Sequence, residues 1–207
     1  MTAQKPRTPR ACSPAPCWLS WRKEGWENRD LSKFVRQTAR LKLRRFQTED
    51  AAALFRLNSD PEVMRYTGDR PFTDPSAARH FIAHYDHYER NGFGRWAVLD
   101  RSSDEFMGFC GLRRQHEDGP VDLAFRFFRR YWASGYATEA ARACLETGFE
   151  DYQEREIIGR AVRENLPSIS VLQKLGMSYQ DMEEEDGEFW LVYGVSAQRF
   201  LEDIRYR

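Results

Sequence analysis

A chain of 207 residues, 41% hydrophobic and 31% charged, carries enough apolar sequence for one core and too much for a disordered or fibrous protein. Its 32 Lys/Arg and 32 Asp/Glu cancel, but residues 1–45 hold twelve of the former against three of the latter, a net +9 that leaves −9 on residues 46–207. No apolar run approaches the ~20 residues of a membrane helix, and the start lacks the apolar stretch of a secretory signal, so a cytoplasmic protein without membrane contact is expected.

The opening "MTAQKPRTPRACSPAPCW" is rich in Pro, Ala, Thr and Arg without a period, and residues 1–38 are expected to form a disordered basic tail. Such an arm can touch nucleic acid or an acidic partner, but a solvated tail is the simpler reading, and no nucleic acid is expected. The stretch "LSWRKEGWENRDLSKFVRQTAR" fits a short helix or no structure. Cys12 and Cys17 lie in the tail, while Cys110 and Cys144 fall in apolar segments and read as buried packing residues. His80, His84 and His87 cluster, yet no carboxylate or cysteine stands at a spacing that completes a metal site, so no metal is expected.

Periodic sequence begins near Leu41, where "LKLRRF" alternates as a strand does. In "TEDAAALFRLNSDP", Thr48 can cap a helix, Ala51, Leu54, Phe55 and Asn58 share a face, and Asp60-Pro61 ends it. "TDPSAARHFIAHYDHYERNG" predicts one helix, capped by Asp74, with Pro75 at its first position and Ala78, Phe81, Ile82 and Tyr85 as the buried stripe. Strands "GRWAVLDR" and "FMGFCGLRRQ" flank a "SSDE" turn, and Glu117–Gly119 turn into a third strand, "VDLAFRFF". A helix follows with Ala137, Ala140, Ala141, Cys144, Leu145, Gly148 and Phe149 at helical spacing. "REIIGRAV" is a strand, "ENLPSISVLQKLGM" a helix with Asn165 near its cap and Gly176 as its stop, and "SYQDMEEEDGEFWLVYGV" a hairpin on Asp186-Gly187. The order predicts a mixed α/β domain, with its one helical crossover between neighbouring strands after "VDLAFRFF".

That crossover begins with "RRYWASGYATEA", Arg129 to Ala140. The first amides of a helix have no intrahelical acceptor, and the helix dipole adds about half a positive charge there. Small residues Ala133, Ser134, Gly135 and Ala137 let an anion approach, Thr138 adds a hydroxyl, and a pyrophosphate suits the spread of donors. A tight strand–helix turn without ligand fits this segment equally well. A Rossmann turn would need G-x-G-x-x-G after βαβ units, and a P-loop would need G-K followed by Ser or Thr; neither is present.

Together, "VDLAFRFFRRYWASGYATEAARACLETGFE" and "RENLPSISVLQKLGM" resemble the GNAT superfamily of N-acetyltransferases, and within it the RimJ/RimL-like branch. The resemblance covers residues 39–196, and so implies a single GNAT-type domain over 39–207. The fold it implies is α/β, a mixed α+β sheet of mostly antiparallel strands with a splayed parallel pair and flanking helices. The cosubstrate it implies is acetyl-coenzyme A. In the family's loop pattern Gly135 and Ala137 match the last two marked positions and Trp132 stands at the first, as in the RimJ/RimL-like branch. That branch often reads W-G-x-G-Y-A, so Ala133 departs from it, at a cost of about 1 kcal/mol if the site needs φ > 0.

The resemblance further implies that the loop Ala133, Ser134, Gly135, Tyr136, Ala137 and Thr138 holds the pyrophosphate, and that pantetheine pairs with backbone at Arg126, Phe127 and Phe128. Asn165 would touch the cosubstrate or fix the strand edge; by itself, an Asn there reads as a helix cap. Asp122 stands near where many members carry a glutamate base, though a surface Asp beside a hairpin reads as well. The superfamily's tyrosine acid falls at Leu172, which has no proton to give, and Ser168 lies one turn earlier on that face. The acidic run Glu183–Asp186 reads as a solvated turn or as an attraction for a cationic acceptor. The expected acceptor is an amine, either a protein N-terminal α-amino group or a small molecule, taken up by a monomer or homodimer. A coenzyme-binding regulatory module without turnover is the alternative.

Overall fold

The computed structural model describes residues 34–114 and 119–205. The expectations for residues 1–33, with Cys12 and Cys17, and for Glu117 and Asp118 of the turn lie outside the described residues. Eight strands form one sheet: β1 (Arg36–Gln37), β2 (Leu41–Arg44), β3 (Arg95–Asp100), β4 (Phe106–Arg114), β5 (Val121–Phe127), β6 (Glu156–Val162), β7 (Ser178–Glu185) and β8 (Glu188–Ser196). Their order is β1-β2-β3-β4-β5-β6-β8-β7, antiparallel throughout except between β5 and β6. The helices are α1 (Ala51–Asn58), α2 (Pro61–Met64), α3 (Pro75–Ala83), α4 (His87–Asn91), α5 (Tyr136–Glu146), α6 (Leu166–Lys174) and α7 (Ala197–Arg205).

Strand alternation assigns the two faces. Cys110 and Leu112 of β4 join Ala140, Ala141, Cys144 and Leu145 of α5 in the main core, where the two thiols lie 3.4 Å apart. Phe109, on the opposite face of β4, packs with Leu54, Leu57 and Val63 under α1 and α2. The sheet is thus covered on both faces at its centre, as its crossover helix requires.

The parallel pair is short. β5 and β6 pair only at Val121–Ile157 and Asp122–Ile158, while β6 stays paired to β8 as far as Val162. From Leu123 onward β5 has no ladder partner on that side. The splay implied by the family resemblance is present.

Several local expectations are corrected. Asp50, not Thr48, stands at the N-cap of α1; Thr48 opens a 3-10 turn capped by Gln47, whose N–H donates to Asp50. Ala51, Leu54 and Asn58 are buried as the spacing predicts, while Phe55 is half-buried and Leu57 buried. Asp60-Pro61 ends α1 but also starts α2, with Asp60 accepting from the Glu62 N–H. The single helix predicted over residues 74–91 is two. At His84 the ring nitrogen Nδ1 bonds back to the His80 carbonyl at 2.9 Å, and the chain bends so that Tyr85 and Tyr88 both reach Arg95. Phe81 is 40% exposed rather than buried, since it walls a cleft. β1 and α7 add elements that no period announced, and β1 begins before residue 39.

Candidate functional site

The turn between β5 and α5 is built for exposed amides. After Phe127 the chain makes a 3-10 turn at Arg129–Tyr131, and Trp132 Nε1 donates to the Phe127 carbonyl at 2.8 Å to close it. Ala133 (φ 55°) and Gly135 (φ 79°) both take the left-handed conformation. The first helical bond runs from Glu139 N–H to the Gly135 carbonyl at 3.0 Å, and no side chain caps the helix. The amides of Tyr136, Ala137 and Thr138 therefore have no acceptor in the helix. Arg40 braces the turn from outside, donating to the Ser134 carbonyl (3.0 Å) and Glu139 (2.6 Å) and lying 4.2 Å over the Tyr136 ring.

A cleft of about 1130 Å³ starts at this turn. It is lined there by Trp132, Ala133, Gly135, Ala137 and Thr138, runs along Asp122–Phe127 where β5 parts from β6, and passes Asn165 and Ser168 at the start of α6. Its far end lies under α1–α3. Most of the site residues inferred from sequence thus share one cavity. Three do not line it: the Ser134 hydroxyl turns to the Trp132 carbonyl, Tyr136 sits beneath Arg40, and Phe128 packs edge-on to Phe106. Ser134 and Tyr136 can serve only through backbone amides. Asn165 Oδ1 accepts the Ser168 N–H at 3.2 Å and so caps α6, while the Ser168 hydroxyl has no partner among the described residues. Leu172 is buried in the core.

Sequence reasoning missed Arg95 and Arg113 on the cleft face of the sheet and gave Arg126 a backbone role alone. Gly111 has no side chain, and an added Cβ would run into the Gly94 carbonyl. The Arg95 side chain therefore crosses β4 at Gly111 and donates to the Gly111 carbonyl (2.5 Å), the Asp122 carbonyl (2.8 Å) and Asp122 Oδ2 (2.5 Å). Asp122 is 13% exposed and Arg95 9%, so the pair is little screened. Asp122 Oδ1 has no partner among the described residues. Arg126 donates to Asn58 (2.7 Å) and Asp69 (2.6 Å), tying β5 to the helices over the cleft; burial pulls its guanidinium down. The acidic hairpin meets the cleft through Trp190, which lines it, and through Arg160, which pairs with Glu183 (3.1 Å) and Glu185 (3.3 Å). Only register across three strands could have revealed the Arg95–Asp122 pair. His80 and His84 stack at 3.9 Å, and no group of three metal-ligating side chains forms among the described residues.

A split parallel pair, a turn of uncapped amides behind it and one cleft joining them make up the candidate site. Residues 40–178 match the family model described as "Acetyltransferase (GNAT) domain". The chain belongs to the GNAT family and is an acetyl-coenzyme A-dependent N-acetyltransferase. It is 33% identical over 165 residues to a Bacillus licheniformis protein named uncharacterized N-acetyltransferase p20, covering 77% of this chain and 93% of that one. Two solved structures share the fold. One is spermidine N-acetyltransferase from Vibrio cholerae in complex with CoA and spermine (TM-score 0.70, 15% identity, 79% of this chain and 99% of that one). The other is ribosomal-protein-S5-alanine acetyltransferase from Vibrio fischeri (TM-score 0.69, 12% identity, 80% and 97%). Among the described residues no helix is long and apolar enough to cross a membrane.

Proposed function

We propose that the cleft passes the acetyl group of acetyl-coenzyme A directly to a primary amine, on a protein N-terminus or on a small molecule. One observation carries this reading: a single cleft joins the uncapped amides of α5, the open edge of β5 and the free Oδ1 of Asp122. Acetyl-coenzyme A supplies the activated acyl group. The amides of Tyr136 to Thr138 hold its pyrophosphate, and the small residues Ala133, Gly135 and Ala137 leave room for it. The backbone N–H of Phe127, on the edge of β5 turned away from β4, orients the pantetheine arm and polarises the acyl carbonyl, worth ~3 kcal/mol for a well-aimed donor. Those of Arg126 and Phe128 point to β4, the latter donating to the Met107 carbonyl at 3.1 Å.

An amine must lose its proton to attack. Asp122 accepts it on Oδ1, because Arg95 already occupies Oδ2. The Ser168 hydroxyl hydrogen-bonds the departing sulfur, and Asn165, engaged as the cap, holds Ser168 in place. Cys110 and Cys144 are fully buried and burial pushes the Cys144 thiol up, so neither takes the acetyl group on the way. The test is a thiol-release screen with acetyl-coenzyme A against amines and N-terminal peptides. Turnover with intersecting initial-rate lines supports the reading. Binding of acetyl-coenzyme A without thiol release from any acceptor would instead favour a coenzyme-binding module, the reading that Leu172 in the tyrosine's place suggests.

A further inference from the structure

Three arginines face the cleft from the centre of the sheet, and two have counter-ions. Arg95 holds Asp122 and Arg126 holds Asp69. Arg113, directly opposite Asp122 in the β4–β5 register, forms neither an ion pair nor a hydrogen bond with any described residue. Its Nε is buried without a partner. The other carboxylates on this wall are engaged as well: Asp86 faces Arg90 at 3.5 Å and Glu62 faces Arg65 at 3.8 Å. The two carboxylates that act on Arg113, Asp122 and Asp69, are thus each already bound to another arginine. Burial pulls the Arg113 guanidinium down, and Arg95 adds to the effect, but an arginine stays charged at neutral pH. A half-buried cation without a partner is a cost that a bound anion removes.

The neighbours of Arg113 are donors. The Tyr85 hydroxyl accepts the Arg95 N–H at 2.6 Å, which leaves its own proton free to give. Tyr85 and His87 line the same wall with ring centroids 5.0 Å apart, and both feel the charge of Arg113. A planar guanidinium matches the two oxygens of a carboxylate. Facing residues on paired strands stand ~5 Å apart at Cβ, so Arg113 and Asp122 enter the cleft side by side.

We infer that Arg113, with the Tyr85 hydroxyl beside it, binds a carboxylate on the acceptor, and that the acceptor is a free amino acid with its amine at Asp122. This rests on the acetyl transfer proposed above and narrows it: a protein N-terminus brings no carboxylate to that place.

The test uses the full chain and thiol release from acetyl-coenzyme A, with the twenty protein amino acids and the amide of each as acceptors. The acid form is expected to react with a KM at least about tenfold below its amide, and Arg113→Gln to raise the acid's KM about 10- to 100-fold, as for a lost hydrogen bond to a charged group. The amide's KM should not change. Arg113→Lys should fall between, and an acetyl-coenzyme A-dependent rise in melting temperature confirms that each variant is folded. Equal KM for acid and amide, an acid KM unmoved by Arg113→Gln, or turnover with N-terminal peptides alone would overturn the inference while leaving acetyl transfer intact. A second arm does not need turnover: ligand-observed NMR with N-acetylglycine and N-acetylglycinamide. The acid should bind the wild type and not Arg113→Gln; equal binding of acid and amide overturns the inference. If no amine releases thiol, transfer itself fails, and this arm still decides whether Arg113 binds a carboxylate.

Discussion

Replacing Asp122 by Ala separates what that carboxylate does for the fold from what it does for the amine. The substitution leaves Arg95, 9% exposed, without its counter-charge in a place water barely reaches. Removing one partner of a buried pair costs about 3–5 kcal/mol. Arg95 keeps the carbonyls of Gly111 and Asp122, so the lower end, about 3 kcal/mol, is expected. For a domain of this size each kcal/mol moves Tm by about 2–4 °C, so the loss should be about 6–12 °C. The assay is thermal and urea unfolding of Asp122→Ala, Arg95→Leu and the double variant. The double variant should recover much of the loss, because an apolar pair leaves no stranded charge. A melting temperature for Asp122→Ala within 2 °C of wild type would refute this account of the pair.

Ala133→Gly should stabilise the protein by about 0.5–1 kcal/mol, as relief of the left-handed strain of ~1–2 kcal/mol outweighs the added freedom of the unfolded chain; an unchanged or lower Tm would count against strain at φ 55°. Ser168→Ala should lower kcat about ten- to a hundredfold with little change in Tm, since its hydroxyl has no partner in the described protein. Unchanged kcat would remove Ser168 from the chemistry. Burial, and then the charge of Arg113, pull His87 below its ordinary 6.5, so the folded state resists protonation there. Stability should be unaffected above that value and fall as pH drops below it, and His87→Gln should show a smaller Tm loss between pH 7.5 and pH 5. An equal loss in wild type and variant would contradict this.

The parts of this site that lie along the chain were legible in sequence, and the parts that lie across strands were not. The strand–turn–helix at Val121–Glu146 announces itself through an apolar alternation, small residues at the turn and alanines at helical spacing, all within one stretch. The same holds for the cap at Asn165 and for the hairpin on Asp186 and Gly187, both at positive φ. Arg95, Arg113 and Asp122 come together only through the register of β3, β4 and β5, which no local period encodes. Phe81 was misplaced for a related reason: an apolar stripe marks the inner face of a helix, and here part of that face looks onto a cleft instead of a core. The bend at His84 depends on tyrosines reaching a strand that is distant in sequence order, and helical spacing alone runs straight through it.

The central claim is that the turn before α5 holds acetyl-coenzyme A, and the most direct measurement is the melting temperature of Gly135→Asp against wild type as acetyl-coenzyme A is added. The variant should fold, because nothing lies closer than Arg40 Nη2, 3.5 Å from an added Cβ, and Asp tolerates the left-handed conformation better than most residues. Wild type at a hundredfold excess over Kd should gain about 2.7 kcal/mol, or about 5–11 °C. The variant, with a carboxylate turned toward the pyrophosphate, should gain nothing. A full shift in Gly135→Asp, or no shift in wild type, would contradict the account.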